Sequence, residues 1–287
     1  MFATTVPVEK TFEIWPGRLT FSAGGSGARD ALDAAMDAAR DLSRSVVADA
    51  ELLARGAMNV LPRGKAGRLA IETASLFRDI YSSELPPLLA VLPGAVCDTV
   101  LETMLEAARN SGGSEFVAVS LGDAVAFHQE PGVRLSGDAD MPPVLVEFLV
   151  ALGEGVQGGA ALGGVRSGTP TQGGLDLVAV QSRSAAVAGF AAAILADAGA
   201  GVPLPPGPAP KDRLLASAWE GRPVAAGAGL IDADAVWQVL SAAVRQATVL
   251  RDKRLLGAAA LGVKGRGRTI GPVDGDRLLR FGVSEWR

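Results

Sequence analysis

The sequence has few of the residues that build redox, metal or histidine-based catalytic sites. It holds one cysteine, Cys97, and one histidine, His128, in 287 residues. A lone cysteine cannot form an intramolecular disulfide or a thiolate cage for a metal ion. Because Cys97 lies in an apolar stretch, we expect a buried packing residue rather than a reactive thiol. His128 ends a predicted strand, which favours a solvated side chain over a catalytic base.

Aromatic residues and net positive charge are also scarce. Only 5% of the residues are aromatic and the formal net charge is −4, so base stacking and phosphate binding have little support and nucleic acid is excluded as a partner. The longest apolar run, residues 185–196, is shorter than the roughly 20 residues that span a bilayer. The first ten residues lack the order of a secretory signal. We therefore expect a cytoplasmic protein that does not bind membranes.

What is abundant is apolar sequence, at 48% of the chain, and its periodicity predicts an α/β fold. Alternation on both sides of Pro16-Gly17 predicts an N-terminal hairpin. Helical spacing then predicts one long amphipathic helix from residue 28 to about 54. Two more helices are expected at 68–81 and at 86–109, the second interrupted at Pro93-Gly94. Valine-rich alternation predicts strands at 116–120 and 124–128.

The second half of the chain alternates loops with shorter elements. The apolar run 144–155 is interpreted as a buried strand between flexible loops, followed by a strand at 175–180. Ser184 is placed to cap a helix that ends near Leu195.

Five prolines between 199 and 212 exclude regular structure there. This connection separates a larger N-terminal part from a smaller C-terminal part of one domain that spans residues 1–287. Beyond it we expect a strand at 222–229, a helix that begins at Asp232, and a strand within 255–265.

Two glycine-rich segments, 24–30 and 162–174, invite a phosphate-loop interpretation because backbone N–H groups can cradle anions. Neither has the spacing of a known nucleotide loop, so a plain flexible loop stays open. The second is the better candidate, since it carries Arg166, Ser167 and Thr169. The basic cluster 264–268 could attract phosphate or a polyglutamylated cofactor, or form a solvated hairpin loop. The aspartates predict no metal cluster, because they are scattered through turns.

Several segments, taken in order, resemble an uncharacterised branch of the ApbE-like proteins, relatives of FAD:protein FMN transferases. They are PLLAVLPGAVCD (87–98), SLGDAVAFH (120–128), RSG (166–168), LDLVAV (175–180), SAAVAGFAAAIL (184–195) and the long tail 221–271. The resemblance runs from about Leu85 to Gly271. It implies an ApbE-like α/β fold with mixed sheets and packed helices.

The resemblance also implies a site that has lost its metal. Catalytic relatives hold magnesium with an aspartate and a threonine, and the matching positions here are Gly189 and Ala193, which offer no oxygen ligand. Leu121 replaces the first glycine of the family's GGD turn. We therefore expect a degenerate metal site and no magnesium at the family position.

The function implied is a small-molecule-binding or accessory protein linked to one-carbon metabolism that uses tetrahydromethanopterin, with flavin or pterin as the ligand. A homodimer or an accessory contact with an enzyme of that pathway is expected. The alternative is an enzyme on the same fold, a flavin transferase with relocated metal ligands; no catalytic residue is identified. The candidate ligand-binding residues are Asp123, Arg166, Ser167, Gly168, Thr169 and Ser184.

Overall fold

The fold consists of eight strands and eight α-helices in the part of the chain described by a computed structural model, residues 8–56, 61–81, 85–133, 140–153, 156–199, 201–227, 229 and 231–275. The strands are β1 (Val8–Ile14), β2 (Gly17–Gly24), β3 (Phe116–Leu121), β4 (Ala124–Gln129), β5 (Gly158–Gly163), β6 (Leu177–Ser182), β7 (Ala258–Val263) and β8 (Arg266–Ile270). The helices are α1 (Ala28–Ser43), α2 (Val46–Ala54), α3 (Lys65–Arg78), α4 (Leu92–Asn110), α5 (Pro143–Leu152), α6 (Ala185–Ala196), α7 (Arg213–Ala218) and α8 (Ala233–Asp252), with a short 3-10 helix, Leu88–Val91, before α4. The predicted α/β class is confirmed.

The eight strands form one sheet in which each strand pairs antiparallel with the next along the chain. The described strands thus form a single antiparallel sheet in place of the mixed sheets that we expected. Three connections are two-residue loops, as the sequence predicted for the first. Backbone angles with positive φ at Gly122, Lys264 and Gly265 are those of tight hairpin turns. Short loops of this kind leave no room for a parallel crossover.

The two faces of the sheet carry separate cores. On one face α4 and α6 contact the central strands and each other, and Phe190 of α6 meets Phe77 of α3 edge to face with ring centroids 5.2 Å apart. On the other face α5 buries Phe148 in a smaller cluster with Phe127. Cys97, on α4, is fully buried, which confirms its packing role.

One continuous helical segment among the described residues, Leu88–Asn110, is long and apolar enough by composition to cross a membrane, with a mean hydropathy of 1.6. In the structure 61% of its apolar window is buried inside the protein. Core helices share these properties, so the segment is weak support for a membrane span.

Helix α6 lies unusually close to its neighbours because glycines face it. A Cβ atom on Gly163 of β5 would lie 2.7 Å from the carbonyl oxygen of Ala192, and one on Gly94 of α4 would lie 2.6 Å from the amide nitrogen of Ala186. Real Cβ atoms do not approach that closely. Both positions therefore require glycine, and they bring α6 against strand and helix together.

The long helix predicted from residue 28 to about 54 is wrong, because the chain breaks into α1 and α2. Amide nitrogens of Arg44 and Ser45 bond carbonyl oxygens three residues back, the tightening typical of a helix end. The Asp49 carboxylate then accepts from the amide of Gly64 at 3.0 Å. This contact ties α2 to the start of α3 and fixes its new direction.

The strand predicted at 144–155 is also wrong, since these residues lie mainly in α5. Pro143 stands in the first helical turn, a position where its missing N–H costs nothing, and Gly153 ends the helix with a φ of +89°. Leu145, Phe148 and Leu149 are buried at helical spacing.

Two further predictions about strands differ from the structure. β5 (GGAALG) lies in a region interpreted as loop. The strand expected at 222–229 is absent from its described residues, where Ala225 makes one isolated bridge to Pro206. The interruption expected at Pro93-Gly94 is absent, because both residues lie inside α4, where Pro93 stands in the first turn and needs no N–H donor.

The remaining predicted elements are confirmed within a few residues. Ser184 Oγ accepts from Val187 N at 3.3 Å to cap α6, and Asp232 Oδ1 accepts from Ala235 N at 2.8 Å to cap α8. The cluster 264–268 forms the β7–β8 turn and the start of β8, as the hairpin interpretation requires.

Candidate functional site

Asp123 stands at the tip of the β3–β4 hairpin and is held from both sides. Leu121 and Ala124 pair across the two-residue loop, and Gly122 takes a φ of +59°, which favours glycine. The carbonyl oxygen of Asp123 accepts from Leu162 N of β5 at 2.9 Å. The hairpin tip is therefore fixed to the neighbouring strand, and its carboxylate has a defined position.

The second glycine-rich segment reaches the same carboxylate. Ser167 Oγ donates to the carbonyl oxygens of Gly164 at 2.9 Å and Thr169 at 3.2 Å, which closes a tight turn. The Gly168 amide nitrogen then donates to Asp123 Oδ2. A Cβ atom on Gly168 would lie 2.9 Å from that oxygen, so glycine is needed for this close approach. The loop and the hairpin tip form one unit.

A cavity of about 250 Å³ opens beside this unit. Its walls are mostly apolar and come from seven parts of the chain: the β1–β2 turn, the 3-10 helix and start of α4, the β3–β4 turn, β5, the loop with Gly168 and Thr169, α6, and α7 with its flanking residues. Trp15 and Trp219 contribute indole rings, and Gly189 lies on the α6 wall. The volume is close to the lower end for ligand pockets, about 300 Å³. Apolar walls with a few polar groups are typical of such pockets.

Two carboxylates line the cavity, and their environments differ. Burial raises the pKa of Asp123, and the single N–H from Gly168 opposes this only in part. For Asp212, burial also disfavours the charged form, but hydrogen bonds from Leu215 N, Trp15 Nε1 and Leu214 N outweigh it and lower the pKa. Asp212 is thus an anion already committed to the start of α7 and to Trp15. Asp123 is the carboxylate with unused acceptor capacity.

Three of the six predicted site residues come together at the cavity: Asp123, Gly168 and Thr169 line it directly. Ser167 shapes the loop beneath them. Arg166 is exposed and Ser184 caps α6; neither lines the cavity.

Three residues that line the cavity are not among the predicted site residues. Trp15, Asp212 and Trp219 come from segments far apart in sequence: the hydrogen bond from Trp15 to Asp212 spans 197 positions. The Asp98 carboxylate, which does not line the cavity, accepts from the amide nitrogens of Ala185 and Ala186 at 2.8 and 2.9 Å at the start of α6. Only the position of Asp98 in PLLAVLPGAVCD could have drawn attention to it.

The residues at the family's metal position do not fit a magnesium ion. Gly189 lines the cavity but has no ligand atom in its side chain, and Ala193 is buried. Among the described residues, no group of three or more histidine, cysteine, aspartate or glutamate side chains converges. A hard cation needs several oxygen ligands, so we derive no chemistry through a metal here.

Comparison of the chain with protein-family models gives no match, and comparison with curated proteins gives none either. The resemblance to ApbE-like proteins therefore stays a prediction. The function has to be argued from the cavity.

Proposed function

We propose that this protein binds a small planar heterocycle in the Asp123 cavity and acts as a binding or accessory protein rather than as a metal-dependent transferase. The observation that carries the proposal is a half-buried carboxylate that has one N–H donor among the described residues and lines an apolar cavity. A buried polar group with unused hydrogen-bonding capacity is costly unless a partner satisfies it. A ligand with N–H donors supplies that partner.

The chemistry of the walls narrows the ligand class. Trp15 and Trp219 line the cavity, and indole side chains favour contact with a planar ring system. A carboxylate has two oxygens that accept from two adjacent donors at once. A 2-amino-4-oxo-pyrimidine ring, as in a pterin, presents two adjacent N–H groups, whereas a flavin ring presents one between two carbonyls. A pterin therefore fits Asp123 better than a flavin.

The wider role rests on the sequence resemblance alone. The resemblance implies a cytoplasmic protein connected with tetrahydromethanopterin-dependent one-carbon metabolism. The protein would act either as a homodimer or in contact with an enzyme of that pathway. A pterin-binding cavity agrees with such a role.

The alternative, a flavin transferase with relocated metal ligands, has one supporting feature: Asp123 and Asp212 line the same cavity. Asp212 already accepts from Leu214 N, Leu215 N and Trp15 Nε1. If the Asp212 carboxylate served as a metal ligand, α7 would lose its N-terminal cap. Incubation with FAD, Mg²⁺ and a serine- or threonine-containing acceptor peptide tests this alternative, and we expect no covalent flavin on the peptide by mass spectrometry.

Isothermal titration calorimetry with 6-methylpterin and with riboflavin tests the proposal. We expect saturable binding of the pterin, weaker binding of riboflavin, and at least a tenfold loss of pterin affinity in Asp123→Asn, because the amide presents one acceptor oxygen and a repelling NH₂ group. Asp37→Asn, an exposed carboxylate paired with Arg40, is the matched control. Equal pterin affinity in wild type and Asp123→Asn would rule out this site.

A further inference from the structure

A basic edge of the sheet is separate from the cavity and unexplained by it. β8 is the last strand of the sheet and pairs with β7 on one side. Within the ranges that the structure describes, no strand pairs with its other side. An edge strand with unpaired backbone groups is a template for another extended segment.

The hairpin geometry identifies which backbone groups face outward. Val263 and Arg266 flank the two-residue turn and pair with each other, so they form a hydrogen-bonded pair, and such pairs alternate along an antiparallel ladder. Arg268 and Ile270 therefore also bond β7. The N–H and C=O groups of Gly267 and Thr269 point away from the sheet. The Arg268 guanidinium, which donates to Gly267 O at 2.9 Å, agrees with this assignment.

Two arginine side chains of β8 lie over one exposed aromatic ring. Arg266 and Arg268 are two residues apart and share a face of the strand, and their guanidinium carbons lie 4.8 and 5.0 Å from the ring centroid of Trp237 on α8. Trp237 is 40% exposed. Cation–π contacts hold the guanidinium groups flat without neutralising them.

These arginines lack acidic partners in an acidic protein. Arg245, Arg266 and Arg268 form no ion pair with another described residue, as is also true of some exposed arginines elsewhere, such as Arg55 and Arg251. Arg245 lies eight residues after Trp237, two exposed positions about 12 Å apart along α8. The whole chain has a net charge of −4. Arg266 and Arg268 place two positive charges side by side at this edge of the sheet.

We propose that the outer edge of β8 receives an extended acidic segment of a partner protein, which adds to the sheet as an antiparallel strand. The N–H of Gly267 and the N–H and C=O of Thr269 supply the backbone hydrogen bonds, while Gly267 O already accepts from Arg268. Carboxylates at alternate positions of the segment stand opposite Arg266 and Arg268, at the roughly 5 Å separation of cross-strand pairs. Strand addition of this kind takes affinity from the main chain and specificity from alternate side chains.

Charge and shape favour an acidic peptide over nucleic acid. Among the described residues, Trp237 is the one aromatic side chain in contact with these arginines, and a single ring is too few for a track of stacked bases. The competing explanation is that the arginines only protect an edge strand from self-association. That explanation predicts no binding of an acidic peptide.

Fluorescence anisotropy with a labelled ten-residue peptide of alternating glutamate and threonine tests the proposal. We expect saturable binding at low ionic strength that weakens at least tenfold at 0.5 M salt. The Debye length is about 10 Å at 0.1 M ionic strength and is shorter at 0.5 M, so the attraction between the charges is screened more strongly. A glutamine-for-glutamate peptide should bind at least tenfold more weakly. Failure of the acidic peptide to bind, or equal binding of both peptides, overturns the proposal.

Two pairs of variants separate the charges from the backbone. Arg266→Gln/Arg268→Gln should weaken binding at least tenfold, and Arg40→Gln/Arg44→Gln, which changes the net charge equally at the C-terminal end of α1, should not. Thr269→Pro removes an outward N–H that β7 does not use, a change tolerated on an edge strand, and should weaken binding while Thr269→Ala does not. Wild-type affinity in Thr269→Pro, with its melting temperature retained, would exclude strand addition.

Discussion

Substitution of Asp98 by asparagine tests how α4 holds the start of α6. Asp98 Oδ1 accepts from Ala185 N at 2.8 Å and Oδ2 accepts from Ala186 N at 2.9 Å. Burial raises the pKa of this carboxyl to about 6 from 3.8, and the hydrogen bonds from Ala186, Ala185 and Ser184 oppose the shift without cancelling it. The free-energy cost of burying the charged carboxylate therefore exceeds the stabilisation that the hydrogen bonds at the N-terminus of α6 provide.

The sign of the pH dependence follows from the two pKa values. Between about pH 4 and pH 6 the folded protein binds the Asp98 proton and the unfolded chain has lost it, so stability falls as the pH rises through this window. The interval from 3.8 to about 6, at about 1.4 kcal/mol per pKa unit, gives a loss of at most about 3 kcal/mol. Asparagine cannot ionise, so the variant lacks this loss.

Urea unfolding of wild type and Asp98→Asn at pH 4, 5, 6 and 7 measures the effect. All other groups titrate alike in both proteins, so the difference in free energy of unfolding, wild type minus variant, reports the titration of Asp98 alone. This difference should fall by up to about 3 kcal/mol from pH 4 to pH 7. Asp37→Asn, on the surface of α1, should give a difference within about 0.5 kcal/mol at every pH. A difference for Asp98→Asn that rises with pH would show that the helix N-terminus stabilises the anion, and it would refute the dominance of burial.

Three further substitutions test the packing around the cavity. Gly94→Ala should destabilise by about 1–3 kcal/mol, because its Cβ would lie 2.6 Å from Ala186 N; a melting temperature equal to that of wild type would contradict the close approach. Phe190→Ala should cost about 3–5 kcal/mol in urea unfolding, since the ring is fully buried, and a loss below about 1 kcal/mol would mean that the core is not formed there. Asp212→Ala should cost about 0.5–2 kcal/mol in urea unfolding by loss of the α7 cap, since Asp212 Oδ1 accepts from Leu214 N and Leu215 N; wild-type stability would contradict the cap.

Local signals explain why much of the fold was predictable. Ser184 and Asp232 are capping residues that precede apolar helical patterns, and both cap helices as expected. The alternation of apolar and polar residues on both sides of Pro16-Gly17 predicts a hairpin, and this pattern depends only on residues that are neighbours in sequence. Asp123 and the loop containing Gly168 were likewise identified from short motifs, although only the structure places them in contact.

The failures arise where distant contacts decide the structure. β5 has the sequence of a loop. Its glycines are needed in the strand because α6 packs too closely against it for larger residues, as at Gly163. The run 144–155 is apolar throughout, so periodicity could not separate strand from helix, and Pro143 and Gly153 set the ends of the helix. Trp15 and Asp212 meet only through the fold.

The ionisation of Asp123 is the most direct test of the claim that its carboxylate receives the ligand. The ¹³Cγ chemical shift of Asp123, assigned by comparison with Asp123→Asn, is to be followed against pH with and without saturating 6-methylpterin. The pKa should lie above 3.8 in the free protein and fall when the pterin binds, because donated N–H groups favour the charged carboxylate. A pterin that binds and leaves this pKa unchanged would contradict the account.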